Sequence, residues 1–242
     1  GLHLQVWGTM IALCFIVGTY VAWRRAKQKE QNAEHILNLA FWILLCSFLE
    51  ARVVHVFLYE TGYYLAHPLE AIDPRQPGFA IFGGFIGAFC AFYLYIRKHG
   101  LAFFEYADTL VWALPWGCGI GRIGCFLIHD HPGTLTHFIL GVRYPDGQVR
   151  HDLGLYLSLI GFATGGLFLV LNRKQRNPGF WFGTYMLIEG IVRFGLDFLR
   201  VNDTRYFGLT PTQYLAIPLA LVGIGLIRKT HIKQLKIYAA TK

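Results

Sequence analysis

No charged residue interrupts the stretch Leu153-Gly-Leu-Tyr-Leu-Ser-Leu-Ile-Gly-Phe-Ala-Thr-Gly-Gly-Leu-Phe-Leu-Val-Leu171. An α-helix needs about 20 apolar residues to cross the roughly 30 Å of hydrocarbon in a bilayer. Similar runs recur along the chain, in which 55% of residues are hydrophobic and only 15% are charged. The other runs are Val6–Trp23, Ile36–Leu58, Phe79–Ile96, Phe104–Ile128, Phe180–Leu199 and Pro211–Ile227. The sequence therefore predicts an all-α integral membrane protein with seven transmembrane helices.

Lysine and arginine are concentrated in the loops after the first, third, fifth and seventh predicted spans. These loops contain Arg24, Arg25, Lys27, Lys29, Arg97, Lys98, Arg173, Lys174, Arg176, Arg228, Lys229, Lys233, Lys236 and Lys242. The opposite loops contain no lysine, and their arginines are Arg75, Arg143, Arg150 and Arg205. The positive-inside rule then places the N-terminus outside and the C-terminus in the cytoplasm. The net charge of +8 fits this topology and contact with anionic lipids. A nucleic-acid partner is not expected, because the basic residues lie in short loops.

The chain shows no linker or internal repeat, so we expect one domain over residues 1–242, with outer-face segments near 59–78 and 129–152. The fourth predicted span contains Pro115 and several glycines. Such a composition predicts a bend or an unwound turn where protein or a cavity covers the backbone. The five cysteines form no CxxC pair, so neither a disulfide framework nor a metal site is indicated, and no cofactor is expected.

Ionisable residues interrupt the predicted sixth span at Glu189, Arg193, Asp197 and Arg200. Their spacings of four, four and three place them on one face of a helix. A charge near the bilayer centre costs roughly 3 kcal/mol, so these groups need partners or a water-filled cavity. Arg122 lies in an equally apolar part of the fourth span. Two interior arginines predict a pocket for an anion such as a lipid phosphate. Alternatively, the sixth-span charges pair along their own helix and lock it to a neighbour.

Other polar residues are predicted near the outer face. Arg52 lies in the outer half of the second span, and Gln213 begins the seventh. Histidines and carboxylates stand at the outer interface as His129-Asp130-His131 and His151-Asp152. A histidine there could deprotonate a thiol or hydroxyl near neutral pH. A solvated loop, a role in steering the substrate and a metal site are the other readings of these residues. The pair Gly83-Gly84 fits either close helix packing or a backbone surface for lipid.

Taken in order, these residues resemble the prolipoprotein diacylglyceryl transferase family of bacterial inner membranes. The resemblance covers nearly the whole chain, and its most specific part is the Gly-Arg-x-Gly pattern. The matching residues are Trp7-Gly8, Glu50-Ala-Arg52, Tyr59, Gly83-Gly84, Gly121-Arg122-Ile-Gly124-Cys125-Phe126, Tyr156, Arg193-Phe-Gly-Leu-Asp197-Phe-Leu-Arg200 and Leu209-Thr-Pro-Thr-Gln213.

The resemblance implies transfer of a diacylglyceryl group from phosphatidylglycerol to the lipobox cysteine thiol of a prolipoprotein signal peptide. The site would face the periplasmic or extracellular side of the inner membrane. The catalytic residues implied are Arg122, Arg193, Asp197 and Arg200. The substrate-binding residues implied are Arg122, Arg52, Gly83, Gly84, Asp130, Tyr156 and Gln213.

Several positions depart from the family pattern. The histidine that often precedes the glycine pair, and that is proposed as the base, is Phe82 here. The signature asparagine is Cys125, and Asp197 replaces the more usual glutamate. Either the base lies elsewhere, with His129 and His131 as candidates, or the chain acts on another acceptor or does not turn over. A phospholipid-binding or transport protein without catalysis is the remaining alternative.

Overall fold

The computed structural model describes the backbone of residues 5–73, 78–201 and 203–240, and the side chains of these ranges except 72, 81 and 234–240. Arg75, Lys236 and Lys242 of the predicted loops thus lie outside the described side chains. The helices are α1 (Val6–Gln28), α2 (Ala33–Val54), α3 (Thr61–Ala66), α4 (Ile81–Lys98), α5 (Phe103–Ile128), α6 (Leu153–Leu171), α7 (Phe180–Leu196) and α8 (Pro211–Ala240). Three short strands, β1 (Pro132–Leu135), β2 (Val142–Arg143) and β3 (Val149–Asp152), lie between α5 and α6.

Each predicted span corresponds to a helix. The match is closest for α6, whose bounds are those of the charge-free stretch. The predicted second span continues past α2 in a π-helical turn, His55–Tyr59, and the sixth ends in a 3-10 turn, Asp197–Leu199. Within the described residues, five helices are long and apolar enough to cross a membrane: Val6–Gln28, Ala33–Tyr59, Phe103–Ile128, Leu153–Leu171 and Pro211–Lys233. The chain is thus a mostly helical, multi-pass membrane protein.

The chain forms two compact units. The first comprises Gly1–Arg25 and Ala107–Lys242, and the second comprises Ala26–Tyr106. The single domain expected from the sequence stays a prediction.

Helix α5 in the first unit is continuous through Pro115. The predicted unwinding of this span is therefore wrong. Its glycines instead allow neighbouring helices to approach. A Cβ added to Gly161 of α6 would lie 3.0 Å from the Cα of Gly119, and one added to Gly124 would lie 2.8 Å from the Cβ of Met10 in α1. Helices in lipid associate through such close contacts between small residues.

The turn before α8 is a capping box, in which a threonine and a glutamine satisfy the free backbone groups at a helix start. The Gln213 amide N–H donates to the Thr210 hydroxyl (3.2 Å), and the Thr210 amide N–H donates to Gln213 Oε1 (3.0 Å). Pro211 occupies the first helical position, where no N–H is needed. The pattern Thr-x-x-Gln thus fixes where α8 begins.

In the second unit, small residues hold α4 against α2. A Cβ on Gly83 would lie 2.3 Å from the Glu50 carbonyl oxygen, and one on Gly87 would lie 2.3 Å from that of Cys46. Any larger residue at these positions would push the helices apart. Gly84 has more room, with the Ser47 carbonyl oxygen 3.7 Å from an added Cβ. Of the two readings of the glycine pair, these contacts favour packing for Gly83.

The outer segment between α5 and α6 contains a small antiparallel sheet with strand order β1-β3-β2. The all-α expectation did not include it. The end of β3 leads directly into α6, because Asp152 accepts a hydrogen bond from the Leu155 amide (2.8 Å) and caps that helix. The sheet thereby fixes the segment His129–His131 close to the end of α5 and the start of α6.

Candidate functional site

A cavity opens among α5, α6 and α7 of the first unit. The cavity is small, with a volume of about 50 Å³. Its lining combines a cationic side with an apolar wall. The lining residues are Pro115, Cys118, Arg122, Leu157, Ile160, Gly161, Thr164, Tyr185, Ile188, Glu189, Val192 and Arg193. The two arginines predicted to face a common interior space, Arg122 and Arg193, thus line one cavity.

Arg193 is held by its own helix. Its Nε donates to Glu189 Oε1 at 2.7 Å, one turn earlier on α7, and both side chains are half-buried. The local pairing that the sequence left open therefore exists. It does not remove Arg193 from the cavity, because the pairing fixes one edge of the guanidinium and an arginine carries five N–H donors. With two arginines and one glutamate, the charged groups of the lining are net positive.

The partners of Arg122 are a thiol and an imidazole. Its Nη1 lies 3.7 Å from Cys125 Sγ and 3.5 Å from His131 Nε2. Neither partner is a carboxylate, so the full positive charge of Arg122 acts on the cavity. An anion placed between Arg122 and Arg193 would meet two guanidinium groups, which bind phosphate oxygens through paired N–H donors.

His131 is in turn held by Asp130. The His131 Nδ1 makes a short hydrogen bond to Asp130 Oδ1, and the two side chains are 23% and 33% exposed. The His131 pKa is raised, first by its hydrogen bond to the Cys125 sulfur and then by the Asp130 carboxylate, against the opposing effect of burial. A histidine arranged in this way can accept and release protons.

The sulfur of Cys125, a carboxylate oxygen of Asp130 and a ring nitrogen of His131 lie within 4.8 Å of one another. This is the chemistry of a three-ligand metal site. The Arg122 guanidinium, however, contacts both the sulfur and the imidazole. A fixed positive charge so close opposes a cation, and we therefore assign no metal to this cluster.

His129 packs into the protein. Its φ of 54° lies in the left-handed region, and its ring centroid is 4.9 Å from that of Tyr144. Its Nδ1 lies 3.5 Å from Oδ2 of the fully buried Asp152, which also accepts from the Tyr144 hydroxyl at 2.7 Å. Burial and the Asp152 carboxylate raise the pKa of Tyr144. His129, offered as a base from the sequence, thus contributes to the structure of the outer segment.

Tyr156, predicted to bind substrate, is buried on α6. Its hydroxyl contacts His151 Nδ1 at 2.7 Å. The predicted substrate contact has no support in these contacts.

Asp197 and Arg200 lie beyond the end of α7 and not in the cavity lining. The Asp197 carboxylate accepts from the Thr210 hydroxyl at 2.5 Å and lies 3.7 Å from Arg200 Nε. Arg200 also bonds Asp203 at 2.5 Å. The four charges of this stretch therefore form two local groups, one in the cavity and one that ties the end of α7 to the start of α8.

Gln213 is fully buried, and its amide donates to the Phe194 carbonyl at 2.9 Å in addition to its part in the capping box. These bonds occupy both ends of its side-chain amide. Both polar atoms of its side chain thus have partners inside the protein, and the role of Gln213 in substrate binding stays a prediction.

Arg52, Gly83, Gly84 and Phe82 belong to the second unit. Arg52 donates to the backbone carbonyls of Glu70 (2.8 Å), Ala71 (2.9 Å) and Gly78 (3.0 Å). Three N–H groups of its guanidinium thus hold the outer segment of that unit. These contacts give Arg52 a structural part, and its role in substrate binding stays a prediction.

Three residues of the cavity lining were not predicted as site residues from the sequence. Cys118 and Tyr185 face each other, with 3.7 Å between the sulfur and the hydroxyl oxygen, and Glu189 pairs with Arg193. The spacing of four between Tyr185 and Glu189 was a usable signal, because it continues the Arg193 face of α7 by one more turn. Cys118 likewise precedes Arg122 by four residues on α5.

A multi-pass helical membrane protein with a cationic interior cavity is the class that this fold and site define. A family model described as "Prolipoprotein diacylglyceryl transferase" matches residues 1–228. The chain is 33% identical to the phosphatidylglycerol–prolipoprotein diacylglyceryl transferase of Chromohalobacter salexigens, over 95% of this chain and 91% of the relative. It is 30% identical to the enzymes of the same name from Roseobacter denitrificans, over 91% and 89%, and from Pseudomonas aeruginosa, over 89% and 86%.

The chain therefore belongs to the prolipoprotein diacylglyceryl transferase family. This confirms the resemblance drawn from the Gly121-Arg122-Ile-Gly124 pattern and the Arg193 stretch.

Proposed function

We propose that this protein transfers the diacylglyceryl group of phosphatidylglycerol to the thiol of the lipobox cysteine in a prolipoprotein signal peptide. The observation that carries this proposal is the cavity shared by Arg122 and Arg193. Membership of the family supports the same reaction, since its relatives are named for phosphatidylglycerol and prolipoprotein.

The chemistry follows from the charge of the cavity. The thiolate sulfur attacks the glyceryl carbon that bears the phosphate, a carbon–sulfur bond forms, and the carbon–oxygen bond to phosphate breaks. The phosphodiester begins with one negative charge, and the departing glycerol phosphate gains a second. Because Arg122 and Arg193 attract the second charge as well as the first, they stabilise the transition state more than the bound lipid. The Glu189 pair keeps the Arg193 fork in one orientation.

The finer topology is part of this proposal. Seven spans place the N-terminus outside and the C-terminus in the cytoplasm, as the distribution of lysine and arginine indicates. The cavity then opens toward the periplasmic side of a bacterial inner membrane, since Arg122 lies six residues before the outer end of α5. Lipid would enter from the membrane, and the apolar signal peptide would present its cysteine beside the outer segment.

The test is an assay of the purified chain in lipid nanodiscs with head-group-labelled phosphatidylglycerol and a lipobox peptide. We expect release of labelled glycerol phosphate and a thioether-linked diacylglyceryl peptide by mass spectrometry. Arg122→Ala and Arg193→Ala should each lower kcat/KM about 100-fold or more, because each removes a charged donor from the leaving phosphate. Arg143→Ala, an exposed arginine of β2, is the matched control and should keep wild-type activity.

Two outcomes would contradict the proposal. Wild-type protein that binds phosphatidylglycerol without consuming it would identify a binding or transport protein. Consumption of the lipid with no product on the peptide, but with product on another added nucleophile, would identify a transferase with a different acceptor.

A further inference from the structure

We propose that His131 is the catalytic base that accepts the proton of the substrate thiol, and that Asp130 is the residue that positions it. This inference rests on the proposed function and assigns the group that the Phe82 position does not provide. A phenyl ring has no lone pair for a proton, so the reaction needs an acceptor elsewhere.

The contacts of His131 select one tautomer. The Asp130 carboxylate only accepts hydrogen bonds, so the proton of the neutral ring sits on Nδ1, which faces Asp130. Nε2 is then left with its lone pair. The Arg122 Nη1, whose N–H can only donate, lies 3.5 Å from Nε2. A contact of this length is weak, so a thiol can displace it. Both contacts therefore demand the tautomer that a base requires.

His131 also lies next to Arg122, one of the two residues that would hold the phosphate. It contacts Arg122 on the outer side, while Arg122 lines the cavity. The His131 side chain is 23% exposed, which leaves part of the ring open to an approaching thiol.

Three other candidate acceptors already have structural neighbours. His129 packs against Tyr144 and faces the buried Asp152. Nδ1 of His151 contacts the Tyr156 hydroxyl. Glu189 is paired with Arg193, and protonation of Glu189 would break that pair.

Each proton and electron pair of this step has a donor and an acceptor. The lipobox thiol gives its proton to His131 Nε2, and the sulfur electron pair forms the bond to the glyceryl carbon. The electrons of the carbon–oxygen bond leave with the phosphate, which Arg122 and Arg193 hold. The imidazolium, stabilised by the Asp130 carboxylate, then passes its proton to the departing phosphate or to water.

The charged and titratable groups that face the His131 ring are Arg122 and Cys125 from α5 and Asp130 from the turn. At the start of α6, the Leu153 amide donates to the His131 carbonyl and supplies no charge. Cys125 and Asp130 raise the His131 pKa. A base with a raised pKa is protonated at low pH, so activity rises with pH as His131 loses its proton.

The experiment measures kcat/KM against pH for the wild type, His131→Ala and Asp130→Asn in the nanodisc assay. A thiol has a pKa near 8.5 and ionises unaided at high pH. His131→Ala should therefore lose about 100-fold at pH 7 and recover much of that loss near pH 9. Asp130→Asn should move the acid limb to lower pH, because it removes a charge that raises the His131 pKa. Asp130→Glu, which restores the charge, should move the limb back.

His137→Ala, an exposed histidine of the same outer segment, is the matched control and should be unchanged. His131→Gln keeps a side-chain donor for Asp130 and replaces His131→Ala if that variant does not fold. Cys125→Ala should keep more than a third of the activity.

Three results overturn the assignment: a His131 variant with wild-type activity at pH 7, a loss that is equal at pH 7 and pH 9, or a Cys125→Ala loss as deep as that of His131→Ala. If instead the wild type itself forms no thioether, the proposed function fails and not the assignment of the base.

Discussion

Arg25 and Arg122 both lie on membrane-length helices of the first unit, and they differ in what surrounds the guanidinium. Arg25 is 4% exposed, donates to Asn172 Oδ1 at 2.8 Å and lies 3.8 Å from the centroid of the Trp112 ring. The carboxylate of Asp108 supplies an opposite charge. Arg122 has a thiol and an imidazole as partners and opens onto a cavity.

The difference separates a structural arginine from one that can receive a ligand. Around Arg25, an amide oxygen, an aromatic face and a carboxylate satisfy the buried charge within the protein. Asp108 completes the arrangement by accepting the Gly179 and Phe182 amides at 2.8 and 2.7 Å, where α7 begins. Around Arg122 the strong acceptor is missing from the described contacts, and a phosphate would supply it.

The largest expected effects come from replacing each of the two arginines with alanine and comparing the two variants. Arg122→Ala should lower activity about 100-fold or more and leave the thermal unfolding midpoint close to that of the wild type. Arg25→Ala should do the reverse, because it strips a buried network of its cation and should destabilise the protein by about 3 kcal/mol. Thermal scans in detergent and the nanodisc assay measure the two effects on the same samples. The comparison breaks if Arg25→Ala unfolds at the wild-type temperature, or if Arg122→Ala melts well below it.

Gln213 of the capping box tests the same distinction between a structural residue and a ligand-binding one. The resemblance to the family implied that it binds substrate. Gln213→Ala should destabilise the protein by about 1–2 kcal/mol, because the Thr210 amide and the Phe194 carbonyl lose their partner. The KM for phosphatidylglycerol should not change in the folded fraction. Thr212→Ala, in the same turn, is the matched control. A raised KM with an unchanged unfolding midpoint would return Gln213 to the substrate site.

The smallest effect is expected at Phe82. The side chain is 42% exposed and cannot take a proton, so Phe82→Ala should keep activity within about threefold of the wild type. Steady-state kinetics at saturating peptide would measure this. Complete loss of activity in a well-folded Phe82→Ala protein would instead reveal a packing or lipid-clamping role for the ring.

Much of the helical fold could be predicted because its cause is local. A charge-free stretch of membrane length gives α6 its bounds, and the spacing of four between Glu189 and Arg193 gives their ion pair. The start of α8 could also be predicted from the sequence, since Thr210-Pro-Thr-Gln213 is a helix-start pattern.

Other features depend on residues far apart in the chain. Arg25 was read as a loop residue that reports topology, yet it bonds Asn172, which lies 147 residues away. The hydrogen-bonded sheet of the outer segment gave no periodic signal, because its strands are only two to four residues long. Pro115 and the glycines of α5 predicted a bend or an unwound turn, whereas the helix is continuous and the glycines serve its contacts with α1 and α6.

The sequence by itself determined the membrane helices and the two arginines that need an anion, since apolar length and the cost of a buried charge are properties of single segments. Only the tertiary structure decided which polar groups are already satisfied. It enclosed Gln213 and Arg25 among partners and left Arg122 open to the cavity. It also set His131 between Asp130 and Arg122, because a turn with His129 at positive φ and a strand pairing bring them together.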